Sequence, residues 1–252
     1  MGGLAGDALT DADQNTVMGY GALSNDTLGS GSVAIGYLAL QDQNFDSATD
    51  TNNTAVGQSA GKDITTGKQN TLLGGRAGDT ITTGNNNIAI GYLALQAETT
   101  GQRSVAIGTG ALDAQNNTSG DNVYNVGVGY AAGSAVTSGT QNTIVGGLAG
   151  DAMTTGSNNS FFGMSAASSG VVTGNSNSAF GVNSLLALTT GANNTAMGDS
   201  AGVSVNTGSN NTLLGHDAGR SGSPGGTINN ESNEIVLGDE NVTEAHIQVS
   251  LT

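Results

Sequence analysis

A chain of 252 residues with 42 glycines, one proline and no cysteine has neither a disulfide framework nor thiolate metal sites, and its glycines lack the three-residue period of collagen. Its 20 acidic and 5 basic residues give a net charge of −15, the wrong sign for gripping a phosphate backbone or an anionic membrane surface. No apolar run approaches the ~20 residues that span a bilayer, so nucleic-acid binding and membrane insertion are both disfavoured.

The low aromatic content, 4%, would suit a disordered chain, but the apolar residues recur in register. One phrase keeps returning: a polar residue, usually Asn or Ser, two or three apolar residues, then Gly. Met1 fills an apolar slot later taken by Leu73 and Val145, so the chain is expected to begin inside a coil. The anchoring glycines are Gly2, Gly19, Gly36, Gly57, Gly74, Gly91, Gly108, Gly129, Gly146, Gly163, Gly181, Gly198, Gly215 and Gly238, most of them 17 residues apart. A short fixed period means a solenoid, in which each repeat adds one layer and touches mainly its neighbours. The fold expected is all-β: a parallel β-roll or β-solenoid of about 13 coils over residues 1–238, rising about 60 Å at strand spacing.

Along the chain, the first enlarged turn is Gln41–Asn52. It is polar and Asp-bearing, and is read as length drift in a solvated surface turn, with contact-making as the alternative. Residues 70–86 then give the plainest repeat. Thr71, Leu72 and Leu73 favour an extended strand, and Gly74 permits a bend or a close backbone approach. Ala77 recurs as Ala22, Ala39, Ala60, Ala94, Ala111, Ala132, Ala149, Ala166, Ala201 and Ala218, which points to a tight site. Ile81, matched by Ile64, Met153 and Val205, marks a second inward position on a second short strand. Thr83-Gly84-Asn85-Asn86 turns the chain.

Two columns follow from stacking. The residue before each Gly is apolar throughout, from Met18 to Leu237, and is assigned to the core, with Val145 and Phe162 as examples. The Asn residues that open the phrase (Asn53, Asn70, Asn87, Asn142, Asn159, Asn177, Asn194, Asn211) are placed to form an amide ladder. Neighbouring apolar pairs such as Leu72-Leu73 and Phe161-Phe162 must point to opposite faces. A second apolar stripe on the outside is what an intersubunit seam needs, so an oligomer is expected.

A longer period overlies the short one. Gly2-Gly3-Leu4-Ala5-Gly6-Asp7 returns 72 residues later as Gly74-Gly75-Arg76-Ala77-Gly78-Asp79, and again as Gly146-Gly147-Leu148-Ala149-Gly150-Asp151. Four-coil blocks were duplicated, and the second complete block carries its own enlarged turn at Asp113–Asn122. From Pro224 the pattern lengthens. Residues 239–252 are expected to form a C-terminal strand or cap leading to another module, because 242–251 alternates apolar and polar.

Chemistry is sparse. The two histidines, His216 and His246, lie in different repeats without a nucleophile-and-acid set or a second histidine for metal ligation. Asp11 and Asp13 lack the calcium-solenoid phrase. The glycine-rich phrases lack the Lys-Ser/Thr of a phosphate loop. Thr runs such as Thr82-Thr83 point oppositely and do not make an ice-matching face. No catalytic, cofactor or metal residue is assigned, and no enzymatic activity is expected.

The phrases SVAIGYLAL, NTAVGQSAG, NIAIGYLAL and SVAIGTGAL resemble the head repeats of trimeric autotransporter adhesins of the YadA type. The 17-residue coils and TTG-N-N turns look closer to bacteriophage tail-fibre proteins. The ending NEIVLGDENVTEAHIQVSL is similar to the segment that leads into a C-terminal endosialidase-type chaperone. The resemblance implies a left-handed parallel β-roll, three chains packed through their inner strands, and a place in a virion appendage. Its implied partners are two sister chains, other fibre or baseplate proteins, and a host-surface glycan or protein. A bacterial adhesin head at the cell surface and a glycan-processing tailspike are the alternatives, the latter weakened by the absence of Trp.

Overall fold

A computed structural model describes residues 2–223 and 225–244. Thirteen strands of three residues, from Thr16–Met18 to Ile235–Leu237, each pair in parallel with the next in sequence. Thr143, Ile144 and Val145, for example, lie against Ser160, Phe161 and Phe162. Parallel neighbours elsewhere need a crossover of a dozen or more residues, usually helical. Here turns make the return, with a two-residue strand added in two of the coils, and no helix occurs among the described residues. The result is a parallel β-solenoid of about twelve turns with a period near 17 residues.

A three-residue strand can send only its middle side chain inward while its neighbours face out. In ten of the thirteen strands the middle residue, Ala34, Ala55, Leu72, Ala89, Ala106, Ile144, Phe161, Ala179, Ala196 or Leu213, is fully buried. This corrects the expected core. Val145 and Phe162 are half-exposed outer residues, and their neighbours Ile144 and Phe161 form the interior. The apolar pair fixes that one residue is inside, but its phase is set by the glycine that follows. From Gly19 to Gly198 these corner glycines hold φ between 130° and 142°, and they stack on one another. A Cβ on Gly146 would stand 2.4 Å from the carbonyl oxygen of Gly163.

The alanines three places on are fully buried, as expected, as are Ile64, Ile81, Met153 and Val205. The expected second strand is absent from most coils. Backbone hydrogen bonds still run from coil to coil there, as from Asp63 N–H to Asp79 O at 3.0 Å and from Thr65 N–H to Thr82 O at 2.9 Å. Left-handed residues such as Ser59 and Gly61 interrupt extended backbone, so turns replace a ladder. Strand pairing on that side survives only beside the enlarged turns, at Gly29–Ser30 with Thr49–Asp50 and at the bridge between Gln102 and Asn122.

Interior volume is shared between two positions. Four places after the corner stand buried leucines (Leu23, Leu40, Leu95, Leu112, Leu185), the buried Ala167, or glycines. Gly78 lies against Leu72, and Gly133 lies against Ile144; a Cβ on either would come within 2.8 Å of that side chain. Leucine fills this place where the strand offers Ala34, Ala89, Ala106 or Ala179, whereas beside Ala55 and Ala196 the place is glycine and leucines of adjacent coils, Leu40 and Leu72 at Gly61 and Leu185 at Gly202, reach in. Close packing of interiors makes such small-for-large exchange necessary.

The amide ladder is present. Asn70 Oδ1 accepts from the backbone N–H of Asn87 at 3.0 Å, and its Nδ2 donates to Gly84 O at 2.9 Å. Asn142, Asn159, Asn177 and Asn194 repeat the pattern while fully buried. Every buried polar rung thus has partners, which removes the penalty of an unpaired amide. Of the expected C-terminal strand, 242–244 is described without regular structure; Met1, Pro224 and residues 245–252 lie outside the described residues.

Candidate interaction surface

The first and third residues of every strand face outward and form two adjacent columns. The third-residue column is apolar along its whole length, with Met18 56%, Met197 48% and Leu237 44% exposed. Phe162 and Phe180 stack in it at 4.9 Å and 6° between planes. In the first-residue column the small Ser160 and Ser178 accompany the two phenylalanines, while Thr71 accompanies Leu73 and Val105 accompanies Ile107. A contiguous apolar stripe of this extent on a soluble chain marks an interaction site.

Beside the stripe, one place after the corner glycine, runs a column of exposed tyrosines: Tyr20, Tyr37, Tyr92 and Tyr130. Tyr20 and Tyr37, on successive coils, stack at 5.9 Å and 15°. On the other flank the Arg103 guanidinium lies 5.9 Å from the centre of the Tyr124 ring, a cation–π distance.

The enlarged turns differ from the expectation of wholly solvated loops. Their roots enter the interior. Gln43 and Gln115 are fully buried at the place where other coils put Ile64 or Ile81, next to the fully buried carboxylates of Asp26 and Glu98. Ser32 and Ser104 replace the ladder asparagine in these coils, and the glutamine amide completes the ladder instead. Asn53 Nδ2 donates to Gln43 Oε1 at 2.8 Å, and Asn125 Nδ2 donates to Gln115 Oε1 at 2.9 Å. Gln43 Nε2 donates to Asp26 at 2.5 Å, and Gln115 Nε2 donates to Glu98 at 2.8 Å. Glu98 also accepts from the backbone N–H groups of Gly101 at 2.8 Å and Asn117 at 3.1 Å, tying down the start of the second enlarged turn. The tips, such as Asp46 and Ser119, face water, as do the closing residues Asn52 and Asn122. The sequence signal for these clusters is that each member recurs 72 residues later in a column otherwise apolar.

Thr hydroxyls on the return side are used internally. Thr65 and Thr82 each donate to the carbonyl of the next coil, at 3.2 and 3.1 Å, so they do not form a free hydroxyl array. Charged groups form short local pairs. Arg76 holds Asp79 at 2.8 Å, and that hydrogen bond pushes the Arg76 pKa up. Burial pushes the Asp113 and Asp151 carboxyls up, and Asp151 Oδ1 has no hydrogen-bond partner among the described residues.

His216 Nδ1 lies 3.4 Å from Asp239 Oδ2 and 3.8 Å from Asp217 Oδ2, beside a polar depression of about 440 Å³. The Asn241 backbone N–H holds the Asp239 carboxyl below its usual value. His246 lies outside the described residues. Asp11 and Asp13 join no metal shell: among the described residues no three His, Asp or Glu side chains converge on a common point. No helix among them is long and apolar enough to cross a membrane. No protein-family model, curated protein or solved structure matches the chain.

Proposed function

We propose that the chain is the rigid shaft of an extracellular fibre, a homotrimeric segment of a phage tail fibre or similar virion appendage that also presents contacts to a host surface. The observation that carries this reading is the outward apolar stripe, unbroken over thirteen strands on a chain of net charge −15. Such a stripe is stable in water only when covered. Sister chains related by rotation about an axis along the rod keep every coil at one height, so the Ser160 and Ser178 layers receive Phe162 and Phe180 from a neighbour. An antiparallel pair would break that match. Two columns per chain, one for each neighbour, form a ring that closes. Three members is the number implied by the resemblance to YadA-type head repeats.

The mechanism is mechanical. Coil-to-coil hydrogen bonds and the amide ladder stiffen the rod, and repeated surface turns multiply weak contacts into avidity. The reading uses no catalytic residue and no cofactor. Electron micrographs of the purified protein test it: rods about 60 Å long with three-lobed end views support it, and compact or two-lobed particles overturn it.

A further inference from the structure

The tyrosine column differs between the first two blocks of the repeat, and the difference defines a ring-sized gap. In the first block Tyr20 is followed one coil later by Tyr37, and the two rings stack. Leu38, next to Tyr37, reaches within 2.8 Å of where a Cβ on Gly21 would sit. Seventy-two residues on, Tyr92 repeats Tyr20, but Thr109 and Gly110 replace Tyr37 and Leu38. A Cβ built on Gly110 would meet nothing within 4 Å. The following coil then supplies Tyr130. Tyr92 and Tyr130 therefore flank, across the smaller Thr109, a place two strand spacings wide, about 9.6 Å between coils, that no ring of the chain fills. Two van der Waals contacts of roughly 3.5–4 Å each fill most of that width, which leaves room for one ring.

The surroundings suit a ring with apolar faces and a hydroxylated edge. Tyr92 is 54% and Tyr130 64% exposed. Exposed tyrosines present an apolar body with a polar tip. Thr109 lies exposed on the floor. On the coils that carry Tyr92 and Thr109, the Gln96 amide, in its paired orientation, accepts from Arg76 and donates to Asp113 at 3.2 Å. Arg76 is already ion-paired with Asp79, so the gap offers no free cation, and a net charge of −15 opposes a polyanion.

We propose that this gap binds one pyranose ring of a neutral glycan, with Tyr92 and Tyr130 on its two faces, in the place that Tyr37 occupies one block earlier. The inference deepens the host-contact role proposed above and rests on it. The test titrates the full assembled chain with maltohexaose, cellohexaose and chitohexaose, read by saturation-transfer NMR and tyrosine fluorescence. At least one oligosaccharide is expected to bind. Tyr92→Ala and Tyr130→Ala should each weaken it roughly tenfold. Thr109→Tyr, which refills the gap from within, should abolish binding and leave the melting temperature unchanged.

The proposal is overturned if none of the three binds at millimolar concentration, or if Thr109→Tyr binds as wild type does. It is also overturned if the variants change the assembly mass, which would assign the gap to a second copy of the chain. Mass measured on the same samples separates the two readings. An intact trimer that binds no sugar sinks this inference alone, whereas a monomer that binds sugar sinks the fibre and keeps the site.

Discussion

Gly146 and its counterparts fix which residues are inside. A corner with φ near 136° and no Cβ lets each coil sit directly on the next, and a side chain there is strained in both dihedral and contact. Gly146→Ala should cost about 2–4 kcal/mol, read as a lowered denaturation midpoint, whereas Gly110→Ala, with open space around it, should cost about 1 kcal/mol from its positive φ alone. Neighbouring strand residues separate as sharply. Ile144→Ala should destabilise by about 2–5 kcal/mol through lost burial and a cavity. Val145→Asp should leave β-rich circular dichroism intact and act only on assembly. Equal loss of fold in both variants would contradict the inward assignment.

Carboxylates add a pH dependence at the same scale. Burial raises Asp151 in the folded chain, so ionising it opposes folding. Its folded form is favoured while protonated, and that advantage fades as pH rises through the raised value. Asp151→Asn should therefore raise the melting temperature at neutral pH, with the gain disappearing on acidification below the ordinary carboxylate range. A gain that persists in acid would point to something other than charge.

One coil is too small to bury a core, so the elements that matter are columns. The asparagine ladder is legible in the sequence because only a stacked amide explains Asn in register before most of the short apolar runs. Asn142→Ala leaves the Asn159 N–H and the Gly156 carbonyl without their partners. Its expected cost is about 1–3 kcal/mol per orphaned group, measured by chemical denaturation. The glutamine clusters were less legible. Gln43 and Gln115 read as loop residues because polar side chains seldom fill an apolar column, and only their partnership with Asp26 and Glu98 makes burial tolerable. Gln115→Leu should accordingly destabilise, although leucine matches the apolar residues of neighbouring coils. It removes one of the two acceptors of Asn125 Nδ2, leaving Gly139 O, and removes a donor to Glu98. Increased hydrogen exchange in residues 116–122 would show the turn released.

The phase of the apolar pairs escaped sequence reading for a related reason. Both members are apolar, the inner covered by the coil and the outer lining the exposed stripe that the proposed sister chains would cover. Alternation alone cannot distinguish them. The second strand was over-read because inward residues at Ile64 and Ile81 imply burial, not extension, and the left-handed residues before them dictate turns.

At the scale of the whole molecule, the account depends on the stripe being covered by sister chains. Thirteen three-residue strands enclose a narrow interior filled largely by alanine and leucine, and in the proposed trimer the exposed Met, Leu and Phe column would add the remaining apolar area. Sedimentation equilibrium of the purified chain at micromolar concentration tests this most directly. The account predicts a species of three times the 24.6 kDa chain, reduced to dissociated chains by Phe162→Asp with Phe180→Asp. A folded 24.6 kDa monomer, with its stripe open to water and no tendency to associate, would contradict it.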